Sequence, residues 1–141
     1  MIVFDASTLV SATFRRGSVP DQAVRQAIRT DQIAVSDPVM AELLDVLYRP
    51  RLARFIDPEL RVDLLGQLGR LGVVVAPTVS VTDCRDAKDD KYLELALAAN
   101  ATAIVSSDDD LLVLHPWRGI QIVRPAEYLA VAGVTTPGPA S

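Results

Sequence analysis

The chain has one cysteine, Cys84, and one histidine, His115. A single thiol cannot build a disulfide framework, and a cysteine-based zinc site needs several thiolates at set spacings, so neither staples this fold. No apolar run approaches the roughly 20 residues of a membrane-spanning helix. The opening, MIVFDAST, lacks the basic segment and longer apolar stretch of a secretory signal. Nor is there a glycine-rich phosphate loop: Gly66, Gly69 and Gly72 fall at helical spacing. A surplus of positive charge is missing too. Fourteen Lys+Arg against 18 Asp+Glu give −4, the wrong sign for holding nucleic acid by bulk attraction. What is present is globular: half of the 141 residues are hydrophobic and 23% are charged, enough to bury a core unaided. The expectation is a cytoplasmic protein with no membrane partner, with residues 1–132 as one domain and 133–141 as a disordered tail rich in proline, glycine and small residues.

Short continuous apolar runs suit the buried strands of a parallel sheet. Five occur, at Ile2-Val3-Phe4, Ile33-Ala34-Val35, Val73-Val74-Val75, Ala103-Ile104-Val105 and Ile120 to Val123. Between them the apolar spacing predicts helices over about 20–30, from Pro38 to before Pro50, over 58–70 and over 88–100, with a short last helix opening at Pro125. Asp37 is expected to cap the helix that Pro38 begins. Gly72 ends the third of these helices. Strands alternating with helices imply right-handed βαβ units and a three-layer α/β/α sandwich around a mostly parallel five-stranded sheet.

In an open parallel sheet, ligands bind beyond the carboxyl ends of the strands. Asp5 follows the first strand, and Asp108 in Ser106-Ser107-Asp108-Asp109-Asp110 follows the fourth. Glu42 lies in the second turn of the helix after the second strand, and Asp89 in the first turn of the helix near 88–100. Helical phase puts Asp89 near the buried stripe of Tyr92 and Ala96 and turns Asp90 aside. The phase of Glu42 alone suggests a solvated acid. Each has a plainer reading: Asp5 as a cap, Asp89 as a helix-start decoration, Asp108 to Asp110 as a cap cluster. Convergence on one edge sets them apart. Carboxylates gathered at one point repel unless cations neutralise them, and oxygen-only ligand sets favour Mg²⁺ or Mn²⁺. Ions held this way activate water for phosphodiester hydrolysis. Arg15, Arg16, Arg49, Arg51 and Arg54 are candidates to contact the phosphate backbone of RNA. His115 and Trp117 read as structural or packing residues, and Cys84 as an incidental thiol.

These residues match a family pattern. Asp5-Ala-Ser-Thr-Leu-Val-Ser-Ala resembles the opening of PIN domains, and Ser36-Asp-Pro-Val-Met-Ala-Glu42 the helix that supplies their glutamate. Arg85-Asp-Ala-Lys-Asp89-Asp-Lys-Tyr-Leu-Glu94 and Ile104-Val-Ser-Ser-Asp108-Asp-Asp110 resemble the two later acidic motifs. The likeness runs from Met1 to about Ala130 and is strongest to toxins of toxin–antitoxin systems related to VapC-like ribonucleases. It implies a Mg²⁺- or Mn²⁺-dependent ribonuclease with metal-binding and catalytic roles for Asp5, Glu42, Asp89 and Asp108, and Asp110 as an auxiliary ligand. It also implies a homodimer and a cognate antitoxin that blocks the site. Ser7 stands where an asparagine is common, Ala87-Lys88 replace a commoner Pro-Asp pair, and Asp90 occupies a position that is often asparagine. Two alternatives belong to other classes: a non-catalytic module of the same fold that binds RNA or protein, and a phosphoacceptor receiver domain. The receiver would place its acceptor aspartate after the third strand, where this chain has Ala76-Pro77.

Overall fold

A computed structural model describes residues 1–135; of the tail expected to be disordered from 133, residues 133–135 are helical and 136–141 lie outside the described residues. The strands are β1 (Ile2–Phe4), β2 (Ala34–Val35), β3 (Val73–Val74), β4 (Ala103–Val105) and β5 (Gln121–Val123). All pairings between them are parallel, in a three-stranded sheet ordered β1-β4-β5 and a two-stranded sheet β2-β3. A parallel bridge between Ile2 and Ile33 joins the two, giving the spatial order β3-β2-β1-β4-β5. This differs from the 2-1-3-4-5 order of receiver-type folds.

Alternation along the strands builds the layers, because successive side chains leave opposite faces of a sheet. Ile2, Phe4, Val35 and Val105 join one buried cluster. Val3, Ala34, Ile104 and Ile122 join the other. The first cluster is closed by helices α1 (Ala6–Ser11), α2 (Val19–Thr30), α4 (Pro58–Leu71) and α7 (Pro125–Thr135), together with Leu43 and Leu47 of α3 (Asp37–Leu47). The second is closed by α5 (Asp90–Ala98), which contributes Tyr92, Leu93, Leu95 and Ala96, and by Leu111 of α6 (Asp109–Leu112). Helices therefore cover both faces, as the strand–helix alternation predicts.

Three local features depart from expectation. α1 is not among the helices that the apolar spacing predicts, because it is six residues long and mixes serine and threonine with apolar residues. It forms because the Asp5 carboxylate accepts from Thr8 N at 2.9 Å, satisfying one of the orphan donors of the first turn. Ser36, not Asp37, caps α3, its hydroxyl accepting from Val39 N; Asp37 is the first helical residue. The last helix is not short, and it continues through Thr135. Gly72 does end α4, though without a left-handed conformation: a Cβ there would lie 2.5 Å from Leu68 O. No helix among the described residues is long and apolar enough to cross a membrane.

Candidate functional site

Parallel strands place the starts of α1, α3, α5 and α6 on one side of the sheet, and the acids collect there. Asp5 leaves β1 and is buried, 4% exposed. One oxygen accepts from Thr8 N and the other from the Ser106 hydroxyl at 2.5 Å. Ser106 follows β4 and its oxygen also accepts from Asp108 N at 2.9 Å, so one serine ties the first and fourth strand ends together. Asp108 in turn accepts from Asp110 N at 2.8 Å and caps α6. Burial pushes the Asp5 carboxyl above its ordinary range; the Ser106 and Thr8 hydrogen bonds oppose that rise, and the Asp108 charge adds to it.

Asp89 closes a 3-10 turn, Ala87–Asp89, that leads into α5. Its Oδ2 is buried and has no hydrogen-bond partner. Burial first, then contact with the Asp108 carboxylate and the charges of Asp108, Asp86 and Asp5, raise its pKa from 3.8 to about 7. Two carboxylates in contact have no donor between them unless one holds a proton. Carboxylate oxygens of Asp86, Asp89 and Asp110 lie within 4.8 Å of one another. Arg85 neutralises part of this cluster through Asp110, at 2.9 Å.

Glu42 is not a free solvated acid, as its phase alone suggests. The Tyr92 hydroxyl donates to its Oε1, and Lys91 approaches the same atom at 3.1 Å. That hydroxyl also accepts from Ala6 N at 3.0 Å, beside Asp5. Glu42 thus joins the aspartates through Tyr92 rather than by direct contact.

The helical phase misplaces Asp90. It is the more buried neighbour, 8% exposed, and accepts from Cys84 N at 2.9 Å, which braces the loop before the site. The reason is the 3-10 turn: advance per residue changes there, so the 100° phase of α5 does not extend back through residue 89. The same turn explains Asp86, to which the sequence reading gave no role. In a 3-10 turn residues i and i+3 eclipse, so the Asp-Ala-Lys-Asp spacing stacks Asp86 under Asp89. Ser106, Lys91 and the Tyr92 hydroxyl were likewise missed; a serine and a tyrosine announce nothing until their neighbours are known. Lys88, one of the departures from the family pattern, stands 4.0 Å from Asp86.

The five arginines expected at the phosphate backbone lie outside this cluster. Arg15 and Arg16 follow α1, and Arg16 is 3.8 Å from Asp63. Arg49 pairs with Asp45 at 2.6 Å, and the Arg54 guanidinium lies 4.7 Å from the centre of the Phe55 ring. Arg51 is exposed in the turn Pro50–Leu52. His115 accepts from Ile122 N through Nδ1, Trp117 is buried and donates to Asp83, and burial pushes the Cys84 thiol up. All three are structural.

The donor set is wholly oxygen, and Asp89 presents a buried, unpartnered carboxylate oxygen among three further acids. Such a set fits a hard divalent cation, which would relieve the repulsion that a proton otherwise relieves. The acidic cluster can therefore hold a metal ion. The PIN domain family model matches residues 1–110. The chain is also 23% identical over 116 residues to an uncharacterized protein, MJ1680, of Methanocaldococcus jannaschii, covering 81% of this chain and 74% of that protein.

Proposed function

The chain belongs to the PIN-domain family, whose members are generally metal-dependent nucleases, and from that premise we propose that it is a Mg²⁺- or Mn²⁺-dependent endoribonuclease, the toxin of a toxin–antitoxin pair. The observation that carries the reading is Asp89: a half-buried carboxylate with an orphaned oxygen, pressed against Asp108, Asp86 and Asp110 at the carboxyl edge beside Asp5. A stable fold does not need that repulsion, whereas a cation site does.

Asp5, Asp89 and Asp108 would hold the ion, with Asp110 and Asp86 at its border. When bound, a divalent ion supplies activation of a water and neutralisation of the charge that develops on the phosphodiester. The protein's part is positional. Thr8 N and Ser106 fix both oxygens of Asp5, so that carboxylate enters the site without rotamer freedom to lose. Tyr92 and Lys91 occupy Oε1 of Glu42. Its Oε2 is left to orient the attacking water and to receive its proton, unless Glu42 itself turns in as a ligand. Arg15, Arg16, Arg49, Arg51 and Arg54 would hold backbone phosphates. The negative formal charge is no obstacle, because the acids are gathered where divalent ions offset them. A homodimer and an inhibiting antitoxin segment belong to the same reading, supported by the motif resemblance.

The test is cleavage of RNA with Mn²⁺ and with EDTA, by the natural sequence and by Asp5→Asn and Asp89→Asn. Loss of cleavage in EDTA and in both variants is expected. Undiminished, metal-independent cleavage by Asp5→Asn would sink the mechanism. Expression of the natural sequence, but not of Asp5→Asn, should arrest growth of a host cell; indifference of the host would remove the toxin reading and leave the nuclease.

A further inference from the structure

The acidic edge carries more negative charge than one divalent ion offsets. Asp5, Asp86, Asp89, Asp108 and Asp110 meet there, and the surplus repels a phosphodiester. A cation of the chain's own is needed where the phosphate arrives. The arginines already given to the backbone phosphates stand outside the cluster, and Arg118 and Arg124 pair with Asp83 and Asp109. Lys91 is held by Glu42 and by Lys88 O. Arg85 is placed differently. Its Nη2 lies 2.9 Å from Asp110 Oδ1, at the border of the oxygens that would hold the ion. That approach is electrostatic only: no hydrogen bond among the described residues uses the guanidinium, and the side chain is 62% exposed. The backbone around it is pinned. Cys84 N donates to Asp90 at 2.9 Å, and Cys84 Sγ donates to Asp110 O at 3.5 Å. Asp83 accepts from the Trp117 indole at 2.9 Å, and Asp86 caps the 3-10 turn by accepting from Lys88 N at 3.0 Å. A long cation with free donors thus projects from a fixed loop beside the acids.

We propose that Arg85 is a catalytic residue of this site, its guanidinium taking the non-bridging oxygens of the scissile phosphate. The proposal rests on the ribonuclease reading and adds the group that meets the reacting phosphate itself. A guanidinium presents its donors as a planar fork that matches two phosphate oxygens, which an ammonium does not. Asp110 keeps the side chain at the site in the free protein. When the Asp110 charge is drawn to a cation instead, the ion pair weakens and the guanidinium is released to the phosphate beside it. Positive charge held ready in this way stabilises the charge that develops on the phosphate oxygens. The plainer role for Arg85 is to hold Asp110 in place and nothing more. The two roles differ in sign at the metal. A positive neighbour repels a divalent ion, so removing it tightens metal binding if Arg85 serves the substrate, whereas removing a needed support of Asp110 loosens it.

The test uses uridine 5′-monophosphate, which carries a phosphate but no phosphodiester to cleave, titrated by calorimetry into the protein with Mn²⁺ present. The natural sequence should bind it, and Arg85→Gln should weaken that binding about tenfold or more. Arg85→Lys, which keeps the charge but not the fork, should fall between the two. Titrated with Mn²⁺ alone, Arg85→Gln should bind the ion at least as tightly as the natural sequence, which also shows that the variant is folded. In RNA cleavage, Arg85→Gln should lose about 10²-fold or more in kcat. Failure of the natural sequence to bind the monophosphate, equal binding by Arg85→Gln, or weaker Mn²⁺ binding by that variant overturns the assignment. Monophosphate binding that depends on Arg85, without any RNA cleavage in Mn²⁺, leaves the contact standing and rejects the nuclease. Cleavage with kcat and monophosphate binding indifferent to Arg85 does the reverse.

Discussion

Replacing Asp89 by asparagine should make the metal-free protein more stable while making it deaf to metal. Asp89 has its pKa raised from 3.8 to about 7, chiefly by burial and then by Asp108. Below the unfolded value the group is protonated in both states and imposes no penalty. Between 3.8 and about 7 the folded state binds the proton more tightly than the unfolded chain, so stability falls as pH rises through that window, and above it the penalty is complete. Taken at face value the shift corresponds to about 4 kcal/mol. The carboxylate stands at a partly solvated edge, however, and screening reduces this to about 1–2 kcal/mol. Asparagine removes the charge, keeps the shape and offers Asp108 an N–H donor. In EDTA at pH 8, Asp89→Asn should therefore unfold about 1–2 kcal/mol later than the natural sequence, a rise of about 5 °C in Tm. At pH 4 the two should nearly coincide. With Mn²⁺ at about 100 times its Kd, the natural sequence should gain about 2.7 kcal/mol, and the variant much less. Urea melts followed by circular dichroism at both pH values, with EDTA and with Mn²⁺, measure every arm. A variant that is less stable in EDTA at pH 8, or an advantage that persists undiminished at pH 4, would refute the account of Asp89 as a frustrated ligand.

Three further expectations concern the supports of the site. Tyr92→Phe leaves Ala6 N without its acceptor and releases Glu42, so it should cost about 1–3 kcal/mol in a urea melt and lower kcat of RNA cleavage more than it raises KM; intact kcat would remove Glu42 from the reaction. Leu93→Ala empties a fully buried position of the second cluster and should lower stability by about 2–5 kcal/mol without altering the Mn²⁺ dependence of what remains folded. Gly72→Ala forces a Cβ to 2.5 Å from Leu68 O and should destabilise, whereas Gly69→Ala meets nothing within 4 Å and should stabilise α4 by about 0.5–1 kcal/mol; equal effects on Tm would contradict the close approach at Gly72.

What could be read in advance was whatever obeys a fixed period. Ile2, Val3 and Phe4 announce a buried strand, and their alternation onto two faces follows from the pleat alone. Once strands alternate with helices, the edge rule carries Asp5 and Asp108 to the same side without further information. Period fails where the backbone changes its advance per residue. The 3-10 turn at Ala87–Asp89 hid both the burial of Asp90 and the stacking of Asp86 with Asp89. α1 was illegible for another reason: its stability comes from the Asp5 cap and from packing, not from propensity, and six residues give too short a window for a helical stripe. The Tyr92–Glu42 link spans 50 positions, and nothing local to either residue encodes it.

The same contrast governs charge. A whole-chain sum of −4 argues against a nucleic-acid partner only if charge is spread evenly, and this fold separates it. Acids are drawn from β1, β4 and the turn before α5 to one edge of the sheet, while the arginines of residues 14–19 and 48–56 are carried to the far ends of α1 and α3. Two helices pointing the same way are enough to hold these zones apart; under the proposed function, cations would offset the acids and phosphates the arginines. A polyanion laid from one zone to the other would meet attraction at both ends only when the cations are present. Salt and metal should therefore act on different steps, with monovalent salt weakening association and chelation abolishing turnover while leaving association in place.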